Sequence, residues 1–253
     1  MTEALLCTTG LTRYFGGLAA TSGVAIELQR GKLHAVLGPN GAGKSTLINL
    51  LSGDLSPSSG SIRYQGREIS ALSADRRSRL GIGRSYQKTN IFPAFSAFEN
   101  CRLAAQSRTP HAWRIFSDAQ AYRSIRYAAA SAVERVGLQG RADRTAATLS
   151  HGEQRQLEIA MVLATEPQVL LLDEPLAGMG AQEAACIVEL LKKLSPDHAI
   201  MLVEHDMDAV FAVADVITVM VNGQVLETGE PGQIRTSIAV QQAYLGHADN
   251  PHG

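Results

Sequence analysis

The residues with the clearest chemical potential are Lys44 and Ser45, which close the run Gly38-Pro39-Asn40-Gly41-Ala42-Gly43-Lys44-Ser45 and are followed by Thr46. The run fits G-x-x-x-x-G-K-[ST] without a mismatch. Its glycines let the backbone curl until successive N–H groups face one anion, and a helix opening there adds the positive end of its dipole. In that setting Lys44 contacts the β- and γ-phosphates of a nucleotide and the Ser45 hydroxyl binds Mg²⁺. A chance glycine turn could carry the same letters. The apolar run 33–37 directly before it and the helical pattern from Thr46 directly after it point instead to a phosphate cradle.

A second run, Val169-Leu170-Leu171-Leu172-Asp173-Glu174-Pro175, ends an apolar stretch in two acids. Asp173 is the candidate to hold Mg²⁺ through water, and Glu174 the candidate to orient and polarise an attacking water. Alone, the run describes any strand meeting an acidic turn; 129 positions downstream of Lys44, it supplies the other half of a nucleotide site. A third, Leu149-Ser150-His151-Gly152-Glu153-Gln154, precedes apolar positions Leu157, Ala160, Met161 and Ala164 at helical spacing. Ser150 and Glu153 have capping-box spacing, so the segment reads as a well-capped helix start. Such an N-terminus can also bind a second phosphate.

The elements that must position these groups are legible as alternating runs. Strands are expected at 4–8, 24–28, 33–37, 62–64, 169–172, 200–203 and 216–221. Asn222-Gly223 is a hairpin turn into 224–226, and Gln65-Gly66 follows another hairpin strand. From about 100 to 138 alanine, arginine and glutamine dominate, and a helical insert is expected. Short apolar strands alternating with helices predict a parallel sheet covered on both faces. Three strands end at polar clusters, Gly38, Asp173-Glu174 and Glu204-His205, and ligands sit beyond the carboxyl ends of strands in such sheets.

Composition narrows the class. The 253 residues are 45% apolar and 19% charged, which excludes disorder and rods and allows a sizeable core. No run of 18 apolar residues occurs, and no export signal is read at the N-terminus. Cys7, Cys101 and Cys186 lack metal or disulfide spacing and read as buried apolar residues in a reducing cytoplasm. The net charge of −1 conceals an asymmetry: residues 102–144 hold eight arginines against three acids, and residues 145–253 hold four basic against fifteen acidic side chains. The arginine block, interleaved with Trp113, Phe116, Tyr122 and Tyr127, is a solvated helical face or a surface for an anionic or membrane-associated partner. A pI near 6.7 argues against a dedicated nucleic-acid binder. His34, inside an apolar strand, reads as a satisfied core histidine. Phe116 is expected in the core, and the run Arg76-Arg77-Ser78-Arg79 on a solvated face.

Together these segments resemble the nucleotide-binding subunit of an ATP-binding cassette (ABC) transporter over 11–246. Leu149-Ser150-His151-Gly152-Glu153 resembles the family's L-S-G-G-Q signature, with His151 and Glu153 replacing a glycine and the glutamine. The resemblance implies that Gln87 senses Mg²⁺ and contacts the membrane subunit, that His205 reaches the γ-phosphate, and that adenine stacks on Phe15, with Tyr14 the weaker choice. Within the family, Phe15-Gly16-Gly17, Gly83-Arg84-Ser85-Tyr86-Gln87, Glu204-His205-Asp206-Met207 and Ala243-Tyr244-Leu245-Gly246 resemble the ATP-binding subunits of branched-chain amino acid importers; subunits for urea and other amides are similar. Gly180 departs from the Asp or Asn usual at its position.

The implied fold is α/β: a P-loop NTPase (RecA-like) core with an antiparallel β subdomain and an inserted α-helical subdomain. One unit, 1–253, would comprise the core with its β subdomain (1–87 and 166–253) and the helical part carrying the signature (88–165). The resemblance further implies ATP and Mg²⁺, and a second ABC subunit, identical or not, whose signature residues Ser150, His151, Gly152 and Glu153 close over the nucleotide. It implies two transmembrane permeases, an indirect solute-binding protein, no nucleic acid, and a peripheral place on the cytoplasmic face of the membrane. A soluble ABC ATPase, or a module that holds ATP without hydrolysing it, are the readings from other classes.

Overall fold

The computed structural model describes residues 4–86, 90–108 and 119–248. In chain order the elements are β1 (Ala4–Phe15), β2 (Leu18–Gly23), β3 (Glu27–Gln29), β4 (Lys32–Leu37), α1 (Lys44–Ser52), β5 (Ser59–Tyr64), β6 (Arg67–Glu68), α2 (Ala74–Leu80), β7 (Ile82–Arg84), α3 (Ala97–Gln106), α4 (Ala119–Arg135), α5 (His151–Leu163), β8 (Val169–Asp173), α6 (Ala181–Leu194), β9 (Ala199–Val203), α7 (Met207–Val213), β10 (Val216–Val221), β11 (Gln224–Gly229), α8 (Pro231–Thr236) and α9 (Ile238–Ala248).

Two sheets result. A six-stranded sheet has the order β11-β10-β4-β9-β8-β7, parallel except for β11, which closes the β10 hairpin. Asn222 and Gly223 both take positive φ, 48° and 79°, as a type I′ turn requires. A second, antiparallel sheet has the order β2-β1-β5-β6 with β3 on β1. The central parallel strands are buried on both faces, and alternate residues divide between two cores. Leu33, Ala35 and Leu37, Leu170 and Leu172, and Ile200 and Leu202 face a core shared with α3 to α6. Val36, Val169 and Leu171, and Met201 and Val203 face α1 and the antiparallel sheet. Helices α3, α4 and α5 pack on one another. No helix among the described residues is long and apolar enough to cross a membrane.

Of the strand expected at 24–28, only Glu27 and Leu28 lie in a strand, β3, while Val24 makes an isolated bridge to Leu11; three further expectations need correction. The strand expected at 4–8 runs on to Phe15, because Thr8 and Thr12 satisfy their hydroxyls within the sheet. Thr8 Oγ1 donates to the Val24 carbonyl at 3.1 Å and accepts the Ile26 N–H at 3.0 Å, so a segment without alternation still pairs on both edges. Arg77 is not solvated. It is fully buried, and its guanidinium donates to the carbonyls of Leu50 and Leu51 at the end of α1 and to those of Ser70 and Leu72. That arrangement is a side-chain cap on a helix C-terminus, where a cation is favoured by the dipole. Of the cysteines, only Cys101 is fully buried, with its thiol pushed up to about 12 by burial; Cys186 lies exposed on α6.

His34 is a satisfied core residue as expected: Nδ1 bonds the Glu27 carbonyl at 3.1 Å and Nε2 the Thr218 hydroxyl at 2.8 Å. Trp113 and Phe116 lie outside the described residues.

Candidate nucleotide-binding site

The glycine-rich loop leaves β4 and enters α1 directly, and two of its glycines have no substitute. At Gly38 (φ 154°) a Cβ would stand 2.2 Å from the Met220 carbonyl oxygen, and at Gly43 (φ 96°) 2.3 Å from that of Ala20. The loop is held from outside by the β10–β11 turn. Gly223 N–H donates to the Ala42 carbonyl at 3.1 Å, and the Gly223 carbonyl accepts Ser22 N–H at 2.7 Å, joining the loop to β2. Helix α1 starts on Gly43 without a side-chain cap and with no acid in its first turn. Its N-terminus is thus open to an external anion.

The loop borders a cleft of about 540 Å³ lined by Asn40, Gly41, Ala42, Gly43, Lys44, Ser45, Thr46 and, from the end of β8, Glu174. The structure therefore brings the cradle and Glu174 together, with Asp173 buried directly before it in sequence. Leu18, Ala19, Ala20 and Asn222 complete the lining and were not among the expected site residues. Nothing in their types marks them; only the two hairpins packed beside the loop bring them there. Pro39 is half-buried next to the lining. Phe15 ends β1 opposite Leu18, is 46% exposed, and carries the Arg13 guanidinium 5.0 Å over its ring.

Lys44 is buried, and its Nζ donates to the Gly38 carbonyl at 2.6 Å and the Pro39 carbonyl at 3.0 Å. Burial lowers its pKa, opposed by the charges of Glu174 and Asp173. Asp173 is also buried. Its Oδ2 lies 3.5 Å from Arg84 Nη2, while Oδ1 is buried with no hydrogen-bond partner among the described residues. Burial raises its pKa, Arg84 opposes the rise and Glu174 adds to it. An unsatisfied buried carboxylate oxygen on the residue directly before Glu174, which lines the cleft with the exposed Ser45, suits a hard cation such as Mg²⁺. Gln87, the third residue expected at the metal, lies outside the described residues.

Glu174 adopts a left-handed backbone (φ 48°), held by its N–H donating to the Val203 carbonyl at 2.9 Å. A non-glycine residue in that region is strained, and the turn lifts the carboxylate into the cleft. Glu204, fully buried after β9, accepts Leu176 N–H on Oε1 at 2.8 Å and His205 N–H on Oε2 at 3.1 Å. Burial raises the Glu204 pKa against those two amides. The His205 side chain is exposed, with Nδ1 3.6 Å from Glu204 Oε2.

Ser150 caps α5 through a complete capping box: its Oγ accepts Glu153 N–H at 3.2 Å and Glu153 Oε2 accepts Ser150 N–H at 2.9 Å. Gly152 N–H donates to Glu183 Oε1 at 3.2 Å, and His151 Nε2 lies 3.4 Å from the Ala177 carbonyl. Ser150, Gly152 and Glu153 line a separate, smaller pocket with Glu183. Gly180 is the N-cap of α6 and offers no side-chain cap.

The profile described as "ABC transporter" matches residues 21–177. The chain is 40% identical to the high-affinity branched-chain amino acid transport ATP-binding protein BraF of Pseudomonas aeruginosa, over 98% of this chain and 100% of the relative. It is 37% identical, with the same coverage, to the corresponding protein LivG of Escherichia coli. In structure it is similar to the ADP conformation of MJ1267, an ATP-binding cassette of an ABC transporter, with a TM-score of 0.85, 27% identity, and coverage of 97% of this chain and 100% of that one. The chain belongs to the ABC transporter family.

Proposed function

We propose that this chain is the ATP-hydrolysing subunit that powers a membrane importer for branched-chain amino acids. The observation that carries hydrolysis is the shared cleft: Lys44, Ser45 and Glu174, from segments far apart in sequence, line one cavity beside the buried Asp173. The solute class rests on the full-length similarity to two branched-chain amino acid transport proteins.

In this reading the adenine lies against Phe15, and the phosphates rest on the amides of 38–46 with Lys44 Nζ on the β- and γ-phosphates. Mg²⁺ would be held by Ser45, by Gln87 and, through water, by Asp173, and would neutralise charge on the transferring group. Glu174 orients a water and accepts its proton as oxygen attacks the γ-phosphorus and the bond to the β-phosphate oxygen breaks. His205, on a backbone pinned by Glu204, contacts the γ-phosphoryl oxygens. The start of α5 in a second cassette, with Ser150, His151, Gly152 and Glu153, closes over the nucleotide. Most of the acceleration comes from positioning and charge neutralisation. Closing and reopening of the pair drives two permeases that receive solute from a binding protein, with the helical segment 88–165 as the lever against the core of 1–87 and 166–253. The chain sits peripherally on the cytoplasmic face of the membrane.

The test is purification of the chain with its neighbouring gene products, followed by Mg²⁺-dependent ATPase and vesicle uptake assays. The expected result is a complex with two multi-span proteins, whose hydrolysis rises when a leucine-, isoleucine- or valine-loaded binding protein is added. A chain that hydrolyses no ATP in that complex, or a complex indifferent to all three solutes, would overturn the corresponding half of the reading.

A further inference from the structure

Arg84 ends β7 with its side chain 9% exposed, and its guanidinium sits between two carboxylates from different parts of the chain. Nη1 is 2.5 Å from Asp54 Oδ2 and 2.8 Å from Ser52 Oγ, both at the far end of the phosphate-loop helix α1. Nη2 is 3.5 Å from Asp173 Oδ2. Ser52 Oγ also donates to Asp54 Oδ2 at 2.7 Å, and the guanidinium lies 4.7 Å over the Tyr86 ring, so the cation is clamped on several sides. We infer that Arg84 is a positioning residue for the metal-side acid: it holds Asp173 through Oδ2 and leaves Oδ1 free to serve the cation that accompanies the nucleotide. The inference rests on the proposed reading of the cleft as a magnesium–nucleotide site.

The asymmetry of the two contacts carries the argument. A purely structural ion pair in a buried place satisfies both carboxylate oxygens, because an unpaired one is costly. Here Asp54 takes the close contact, Asp173 the loose one, and Oδ1 of Asp173 has no partner among the described residues. With most of its charge already balanced by Asp54, Arg84 repels an incoming divalent ion weakly. Without Arg84, the cation left acting on Asp173 among the described residues is Lys44, and drawing the carboxylate toward it would disturb the phosphate and metal contacts together. A residue that orients a metal-side group in this way affects metal affinity by about 10–100-fold.

The experiment measures binding of a fluorescent ATP analogue to the full-length chain, in EDTA and in saturating Mg²⁺, for wild type, Arg84→Gln, Arg84→Lys and Asp54→Asn, with the melting temperature of each. The readout is the ratio of the two affinities, the tightening that Mg²⁺ confers. Arg84→Gln should lose about tenfold or more of that tightening while its affinity in EDTA changes less. Arg84→Lys should recover part of it, and Asp54→Asn should lose a smaller part. A tightening in Arg84→Gln within about twofold of wild type, or greater than wild type, overturns the assignment. Should Arg84→Gln fail to fold, unchanged tightening in both other variants overturns it equally. A wild-type chain that binds no analogue under either condition defeats the functional reading itself.

Discussion

At the start of α1 no side chain caps the helix and no acid stands in its first turn, and beside the cleft an acidic oxygen of Asp173 is buried without a hydrogen-bond partner among the described residues. At the start of α5 the arrangement is the reverse: Ser150 and Glu153 complete a capping box, Arg141 holds the other Glu153 oxygen at 3.2 Å, and the Gly152 amide is taken by Glu183. Both helix ends are proposed to face phosphate, yet only the first waits for it. The second already holds carboxylates where an anion would dock and can receive one only by exchanging contacts. In the proposed reading, binding therefore belongs chiefly to the first region, and the second responds to what the first has bound.

The largest expected effect tests the first region's chemistry. Glu174→Gln should keep nucleotide affinity while turnover falls by about 10²–10⁴-fold, compared as ATPase rate and fluorescent-nucleotide binding on the same preparation. Near-normal hydrolysis in the assembled complex would remove Glu174 from its role. Next, Lys44→Ala removes a charge-assisted contact and should weaken Mg-ATP binding by about 10–100-fold in a direct titration; unchanged affinity would mean that Lys44 serves only the loop carbonyls it touches. The smallest effect belongs to the second region. Ser150→Ala should cost about 1 kcal/mol of folding stability in denaturant unfolding, yet leave nucleotide affinity of the isolated chain unaltered. A parallel loss of affinity would erase the contrast between the two helix ends.

The phosphate loop, the acidic strand end and the capping box of α5 were legible because each is a local pattern: residue types at fixed spacing beside an apolar run. The Asn222-Gly223 turn was legible for the same reason, but its second task was not. That Gly223 would tie Ala42 to Ser22 depends on two sheets meeting, which no short window of sequence contains. Leu18, Ala19 and Ala20 entered the cleft the same way, on a strand whose composition carries no signal for it. Arg77 was misread because a run of arginines looks solvated until the carbonyls at the end of α1 are folded against one of them. Arg84 was visible only as part of a resemblance; its position between Asp54 and Asp173 is a product of tertiary structure.

Glu204 has a consequence for how faults spread. Its two oxygens are committed to main-chain amides from two separate turns, those of Leu176 and His205. The turns that follow β8 and β9 are thereby riveted into a single bracket, with the strained Glu174 on one arm and the exposed imidazole on the other. A disturbance at either arm is thereby passed to the other, so that in the proposed mechanism an error in aiming the water would arrive together with an error in gripping the phosphoryl group.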